Sequence, residues 1–287
     1  MPILLGVAAA FAYGIADFMA RFSAERIGVR GALFGMLLSG SIAISAWYLL
    51  AGLPLLPLAL AWPWLVLSGA LSLCALGLLY AAIQRGPIGV ASPIVAAHPA
   101  LVLLLLWLGT ELRPSALEWT GLGITLAGAL LLSTQVDDIG RALSLESRHA
   151  RRTAALAAAC AIFVAFQVLC VQHAARVAGA VAAAWGSRVF ALLALLVVLP
   201  FGPSFPARAR GAWTLAALQG VLDAGAMLAV AAGSSGTDRA IVPVVASAFS
   251  AVTVILARFV LKERVAALQW GAIACILLGV GVLGASE

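Results

Sequence analysis

The chain has 287 residues, 64% of them hydrophobic and 10% charged, with a mean hydropathy of +1.13. Soluble domains carry roughly 45–50% apolar and 25% charged residues, so this chain has too little polar surface to wet a globule, which excludes a soluble enzyme and makes lipid its solvent. The formal charge of +6 comes from basic residues set singly or in small clusters between apolar runs. That is the pattern of membrane loops, and it lacks the continuous basic face that nucleic acid requires.

Cutting the chain at charges and turn residues gives ten apolar stretches close to the ~20 residues that cross a bilayer. They fall at about 3 to 21, 31 to 51, 63 to 83, 88 to 109, 117 to 134, 153 to 174, 179 to 200, 213 to 232, 238 to 260 and 266 to 285. The first has no basic segment before it and carries Asp17 near its end, so it reads as a retained helix rather than a cleaved signal. Tyr13 and Asp17 stand four apart on one helical face; Asp17 either lines a cavity or snorkels to the interface. Tyr80, Trp107 and Phe163 are aromatics within spans, a position more often used for packing than for ligand contact. The fourth span contains Pro93, then His98 and Pro99. Proline lacks an N–H and leaves a carbonyl one turn back unpaired, so His98 serves either a pocket, as lining or proton relay, or that freed carbonyl.

The longest hydrophilic piece, Gln135 to Arg152, parts the first five spans from the last five. The sixth holds Gln167, an amide that needs partners in hydrocarbon. Near the middle of the seventh and eighth lie Arg188 and Asp223, with Trp185 three residues before Arg188, and with Gln219 and Met227 one turn to either side of Asp223. Charges at this depth cost at least a few kcal/mol each and therefore face a cavity or a partner. They either bind the two ends of a substrate or bridge neighbouring helices. The ninth span repeats a proline at Pro243. Gly123 and Ala127, and Gly271, Cys275 and Gly279, form rows of small residues that allow close helix contact, within one molecule or in a homodimer. The four cysteines, Cys74, Cys160, Cys170 and Cys275, all lie in apolar stretches and read as small hydrophobes, so no metal site and no cofactor is expected.

The halves resemble each other. At an offset of 150, Ala81-Ala82 falls on Ala231-Ala232, Gly86 on Gly236 and Pro93 on Pro243; at 151 or 152, Trp119 meets Trp270, Gly128 meets Gly279 and Glu111 meets Glu263. An odd number of spans per copy inverts the second in the membrane, the plan of many secondary transporters. The expected fold is therefore an all-α membrane protein of ten transmembrane helices, arranged as two inverted five-helix repeats around a central cavity. The repeats are 1–134 and 153–287, connected by 135–152.

A five-plus-five chain of this length, with the turns Leu108, Gly109, Glu111 and Leu261, Lys262, Glu263 before a glycine-marked last helix, resembles the EamA group of the drug/metabolite transporter superfamily. That family often carries two prolines in each fourth helix; the first half keeps both, as Pro93 and Pro99, whereas the second has Pro243 followed by Phe249. The resemblance, which spans nearly the whole chain, implies export of amino acids or other metabolites, with Pro93, Pro99 and Pro243 as hinges.

Odd-numbered loops hold thirteen Arg or Lys residues and even-numbered loops three, Arg113, Arg176 and Arg239; Arg188 completes the seventeen. The positive-inside rule then places the odd loops in the cytoplasm and the termini outside, in a bacterial inner membrane. Rival classes lack key residues. Gly233-Ser234-Ser235-Gly236 matches an intramembrane serine protease string, but no His follows His173. With Lys262 as the one lysine, there is neither a phosphate-binding loop nor a Schiff-base lysine within a span. The reading is a non-enzymatic secondary transporter exporting amino acids or similar zwitterions, with Arg188, Asp223, His98, Trp185, Gln219, Tyr13, Tyr80, Gln167 and Asp17 as candidate substrate contacts and protons as a candidate coupling ion. The alternatives are a proton-coupled exporter of amphipathic cations, and a channel or structural membrane protein.

Overall fold

With no water in hydrocarbon to satisfy backbone N–H and C=O groups, a chain this apolar must close its hydrogen bonds within each segment, and helices do so. A computed structural model describes residues 2–85, 88–109, 115–134, 145–201, 210–233, 241–262 and 267–285. All regular structure among them is helical. In chain order the helices are α1 (Pro2–Leu50), α2 (Leu56–Arg85), α3 (Ile88–Ala96), α4 (His98–Gly109), α5 (Ala116–Thr134), α6 (Leu145–Ala178), α7 (Ala180–Val198), α8 (Arg210–Gly233), α9 (Ile241–Ala246), α10 (Phe249–Val260) and α11 (Ala267–Ala285). Six segments are long and apolar enough to cross a membrane: Leu4–Leu50, Pro57–Gln84, Ile88–Gly109, Arg151–Ala178, Ala180–Phe201 and Gly211–Gly233. Shorter apolar helices cover Phe249–Val260 and Trp270–Val282.

At 1.5 Å per residue a straight α1 would run ~74 Å, more than twice the hydrocarbon thickness of ~30 Å. It does not run straight. Gly28 has φ 72° and ψ 161°, a backbone region essentially reserved for glycine. Ser23 meets Gln219 and Ala9 packs with Ala226, so the arm before Gly28 runs antiparallel to α8. Gly35 abuts Ala216 and Gly40 abuts Gly220, so the arm after it runs parallel to α8. The chain turns back at Gly28, and the expected first two spans are these arms. The charged stretch expected as their loop is helical except at that glycine, and Arg21 Nε pairs with Glu25 across one helical turn at 2.7 Å.

Gly179 makes the corresponding turn between α6 and α7, with φ 85° and ψ 154°. It lies 151 residues after Gly28. The same offset relates the helix crossings. A Cβ on Gly35 would come within 2.8 Å of Ala216, and one on Gly186 within 2.8 Å of Leu65. Gly220 is pressed on the backbone of Met36 and Gly40, and Gly69 on that of Phe190 and Ala191. The α5/α11 crossing pairs Gly128 with Ala272 and Gly279 with Gly121; adding 151 to 128 and to 121 gives 279 and 272, so each contact maps onto the other.

The fourth and ninth expected spans are both broken. Ala97 N–H donates to Ile94 O at 3.2 Å and Ala100 N–H to Ala97 O at 3.1 Å; Ala248 N–H donates to Val245 O at 3.1 Å and Ala251 N–H to Ala248 O at 3.0 Å, again 151 apart. Pro93 lies within α3, Pro99 follows the first break, and Pro243 lies within α9. The second break forms without a proline at Ser250, the position 151 residues after Pro99. The interior is rich in alanine, which lets helices approach closely, while Leu50, Phe201 and Phe259 are among many large apolar side chains left exposed. An apolar exterior of this extent is a lipid-facing surface. Arg113, Glu111, Glu263, Arg264, Arg239 and most of the Gly233 to Gly236 string lie outside the described residues.

Candidate functional site

The inward face of α7 is small: Ala182, Ala183, Ala184, Gly186, Ser187 and Ala191 are all buried there. Neighbouring helices close on it, and the one long polar side chain on that face, Arg188, is enclosed with only 7% of its surface exposed. Its Nη2 forms an ion pair with Asp223 Oδ2 on α8. The pair lines a cavity of about 170 Å³ whose wall also includes Tyr13, Ser72, Val95, Cys160, Gln167, Ser187 and Met227.

A guanidinium carries five N–H donors, and here they meet few strong acceptors. Besides Asp223, Nη1 points at Met36 Sδ at 3.4 Å and Nη2 at Met227 Sδ at 3.8 Å. Thioether sulfur is a weak acceptor. Arg188 Nε and Ser187 Oγ are buried with no hydrogen-bond partner. The cavity therefore presents one carboxylate and a set of donors that are incompletely used.

Two different side-chain clusters flank the cavity along the helices, outside its lining. Towards Gly52 and Gly179, Trp185 stacks on Tyr48 with centroids 4.5 Å apart and planes 12° apart. Trp185 Nε1 donates to Ser45 Oγ at 2.7 Å and Tyr48 OH to Pro54 O at 2.8 Å. Towards Gly28 and Arg85, Gln219 Nε2 donates to Tyr80 OH, Ser23 Oγ donates to Gln219 Oε1 at 3.3 Å, and Gln84 Nε2 donates to Ala24 O at 2.7 Å. One cluster is aromatic and the other is a hydrogen-bonded bridge across α1, α2 and α8.

Of the residues expected from sequence, Arg188, Asp223, Tyr13 and Gln167 meet at the cavity wall. Gln219 and Tyr80 form the bridge at one end, and Trp185 the stack at the other. His98 Nδ1 lies 3.0 Å from Val95 O, the carbonyl that Pro99 leaves without an N–H, so the tautomer that fits carries its proton on Nδ1. Asp17 is half-buried and within electrostatic reach of Tyr13, Tyr80 and Cys160, with no ion-pair partner among the described residues. Sequence reasoning passed over Met36, Ser187, Tyr48 and Ser23, and treated Cys160 as a packing residue. Ser187 had a signal, being adjacent to Arg188; Met36 had none, because 152 residues separate it from the guanidinium it touches.

A helical bundle with an apolar exterior and a charged interior cavity defines a multi-pass membrane protein. The model of the EamA-like transporter family matches residues 1–134 and again 151–285, and the chain belongs to that family, within the drug/metabolite transporter superfamily. Fifteen chains of solved structures match. One, titled "Crystal structure of protein", aligns over 98% of this chain and 95% of its own with a TM-score of 0.65 and 19% identity, a likeness of fold. No curated protein matches the chain.

Proposed function

We propose that this membrane transporter is a secondary exporter of amino acids or similar small zwitterions, working by alternating access. The observation that carries the reading is the Arg188–Asp223 pair on the cavity wall. A zwitterion supplies a carboxylate for the under-used guanidinium and an ammonium for Asp223, so the site stays electrically balanced when loaded. A lone cation would gain nothing from Arg188. Neither charge recurs in the other half, where the positions 151 residues earlier are Leu37 and Ser72. The scaffold is read as ten spans in two inverted five-helix repeats, 1–134 and 153–287, joined by 135–152. Its support is the series of turns, breaks and crossings related by 151. Two near-equivalent packings from one pattern are what alternating access requires. The basic residues favour a bacterial inner membrane with both termini outside.

The test uses purified protein in liposomes and flux of radiolabelled amino acids and one cationic dye, with and without a pH gradient. Arg188→Leu is expected to abolish saturable amino-acid flux. Because removing one member of a buried pair costs about 3–5 kcal/mol of stability, the double variant Arg188→Leu/Asp223→Leu separates the roles: it restores the fold but not transport. Intact amino-acid flux in the double variant would refute the clamp. Asp17, half-buried within a span and without a counter-charge among the described residues, supports a second reading, a proton-coupled exporter of amphipathic cations. That reading requires dye flux that survives Arg188→Leu and is lost on Asp17→Asn.

A further inference from the structure

Helical serines and threonines in apolar surroundings ordinarily return their hydroxyl to a carbonyl three or four residues back, because the helix always offers one. This protein follows that habit closely. Ser23, Ser68, Thr125, Thr153, Ser250 and Thr253, all buried, donate to Ala20, Leu65, Gly121, His149, Ser247 and Phe249 respectively. Ser92 and Ser187 depart from it, both buried with an unpartnered hydroxyl, and Ser187 is the one of the two on the cavity wall. It lies in the middle of α7, only 1% exposed, and its hydroxyl makes no hydrogen bond to its own helix or to any other described group. Its side chain is on the cavity wall, next in sequence to Arg188. The Nε edge of Arg188 is also buried and unpartnered, whereas the Nη2 end of the same guanidinium is engaged by Asp223. A buried donor left unsatisfied has given up water without gaining a partner, which destabilises the empty site. Two such donors on adjacent residues, opening into one cavity, are a cost that a bound acceptor would remove.

We propose that Ser187 Oγ and Arg188 Nε form a seat for the substrate's carboxylate, one donor to each oxygen, separate from the edge of Arg188 that holds Asp223. The proposal rests on the zwitterion reading of the cavity and deepens it. The carboxylate docks on the free edge without first breaking the Arg188–Asp223 pair. Asp223 is then drawn away only when an ammonium group competes for it. Ser187 is thus a specificity-determining residue that selects for a carboxylate over its uncharged analogues. Position 36 in the first half, 151 residues earlier, is Met36, so the seat exists in one repeat only.

The experiment measures binding of radiolabelled alanine, leucine and threonine to the purified full-length protein, with the carboxamides of the same amino acids as competitors. Wild type is expected to prefer each amino acid over its carboxamide by about tenfold or more, the scale of one hydrogen bond to a charged group. Ser187→Ala should weaken amino-acid binding about tenfold and leave the carboxamides unchanged, while Ser187→Thr, which keeps a hydroxyl, should retain most of the preference. Amino-acid affinities within about twofold of wild type in Ser187→Ala would overturn the seat. If that happens while Arg188→Leu/Asp223→Leu still loses the preference, the seat alone is wrong and the clamp stands. If wild type binds carboxamides as well as amino acids, or binds none of the three amino acids, both are overturned.

Discussion

Gln219 is 2% exposed and Tyr80 1%, yet the residues 151 positions away in the other repeat are Ser68 and Ala231. The bridge they form is therefore a feature of one end of the molecule and not of the scaffold. Tyr80→Phe keeps the ring and removes the hydroxyl that receives Gln219 Nε2, stranding a buried amide. That change is expected to cost about 1–3 kcal/mol, read as a lower melting temperature in detergent. Gln219→Leu in the same background removes the stranded group too, so it should recover part of the loss. Equal melting temperatures for wild type and Tyr80→Phe would mean that the bridge bears no load. At this scale the sequence was informative about charge and poor about company. A lone Arg and a lone Asp in hydrocarbon declare themselves, because the cost of burying them demands a reason. Met36 and Ser187 do not, since methionine and serine are ordinary inside helical bundles and only the fold brings Met36 to the guanidinium.

The helices themselves were largely legible, because continuous apolar runs of about 20 residues have few alternatives in lipid. What the runs hid was how they are joined and where they break. A charged stretch from Arg21 to Arg30 reads as a loop, yet it stays helical up to a single glycine, since Arg21 and Glu25 satisfy each other along the helix. The break between α9 and α10 carries no proline at Ser250, the counterpart of Pro99, so the break between α3 and α4 alone has that sequence marker. Gly28 and Gly179 are the hinge of each helical hairpin, and nothing lies within 4 Å of a Cβ at either. Space does not restrict them; conformation does. Gly28→Ala and Gly179→Ala should each destabilise the protein by about 1–3 kcal/mol through backbone strain, with similar sizes if the two turns are equivalent. Gly123→Ala, in open space within α5, is the control and should be neutral or slightly stabilising. Full tolerance of alanine at Gly28 in a thermal melt would show that the turn adopts another geometry.

For the whole molecule, the proposed alternating access draws two equivalent ways of packing from the repeat, and the side chains at the two ends make them unequal. The Tyr48–Trp185 stack lies towards Gly52 and Gly179 and the Tyr80–Gln219–Ser23 bridge towards Gly28 and Arg85, and under the proposed function these two clusters are the gates on either side of the cavity. The symmetry mates of Tyr48 and Trp185 are Leu199 and Phe34, and Phe34 meets Trp213 edge-on at 6.4 Å, so an aromatic layer survives there in weaker form. Cys160 is on the cavity wall and 1% exposed, which makes it a native reporter of which end is open. In a protein with Cys74, Cys170 and Cys275 replaced by serine, a membrane-impermeant thiol reagent should label Cys160 slowly from either face, and saturating substrate should slow it further. Trp185→Ala should speed labelling only from the face bearing Gly52 and Gly179, and Tyr80→Phe only from the opposite face. A cavity that alternates has two independent closures, so each variant must act on its own side. Faster labelling from both faces in either variant would mean a continuous pore, and the closures would then belong to a channel and not to a transporter that opens one end at a time.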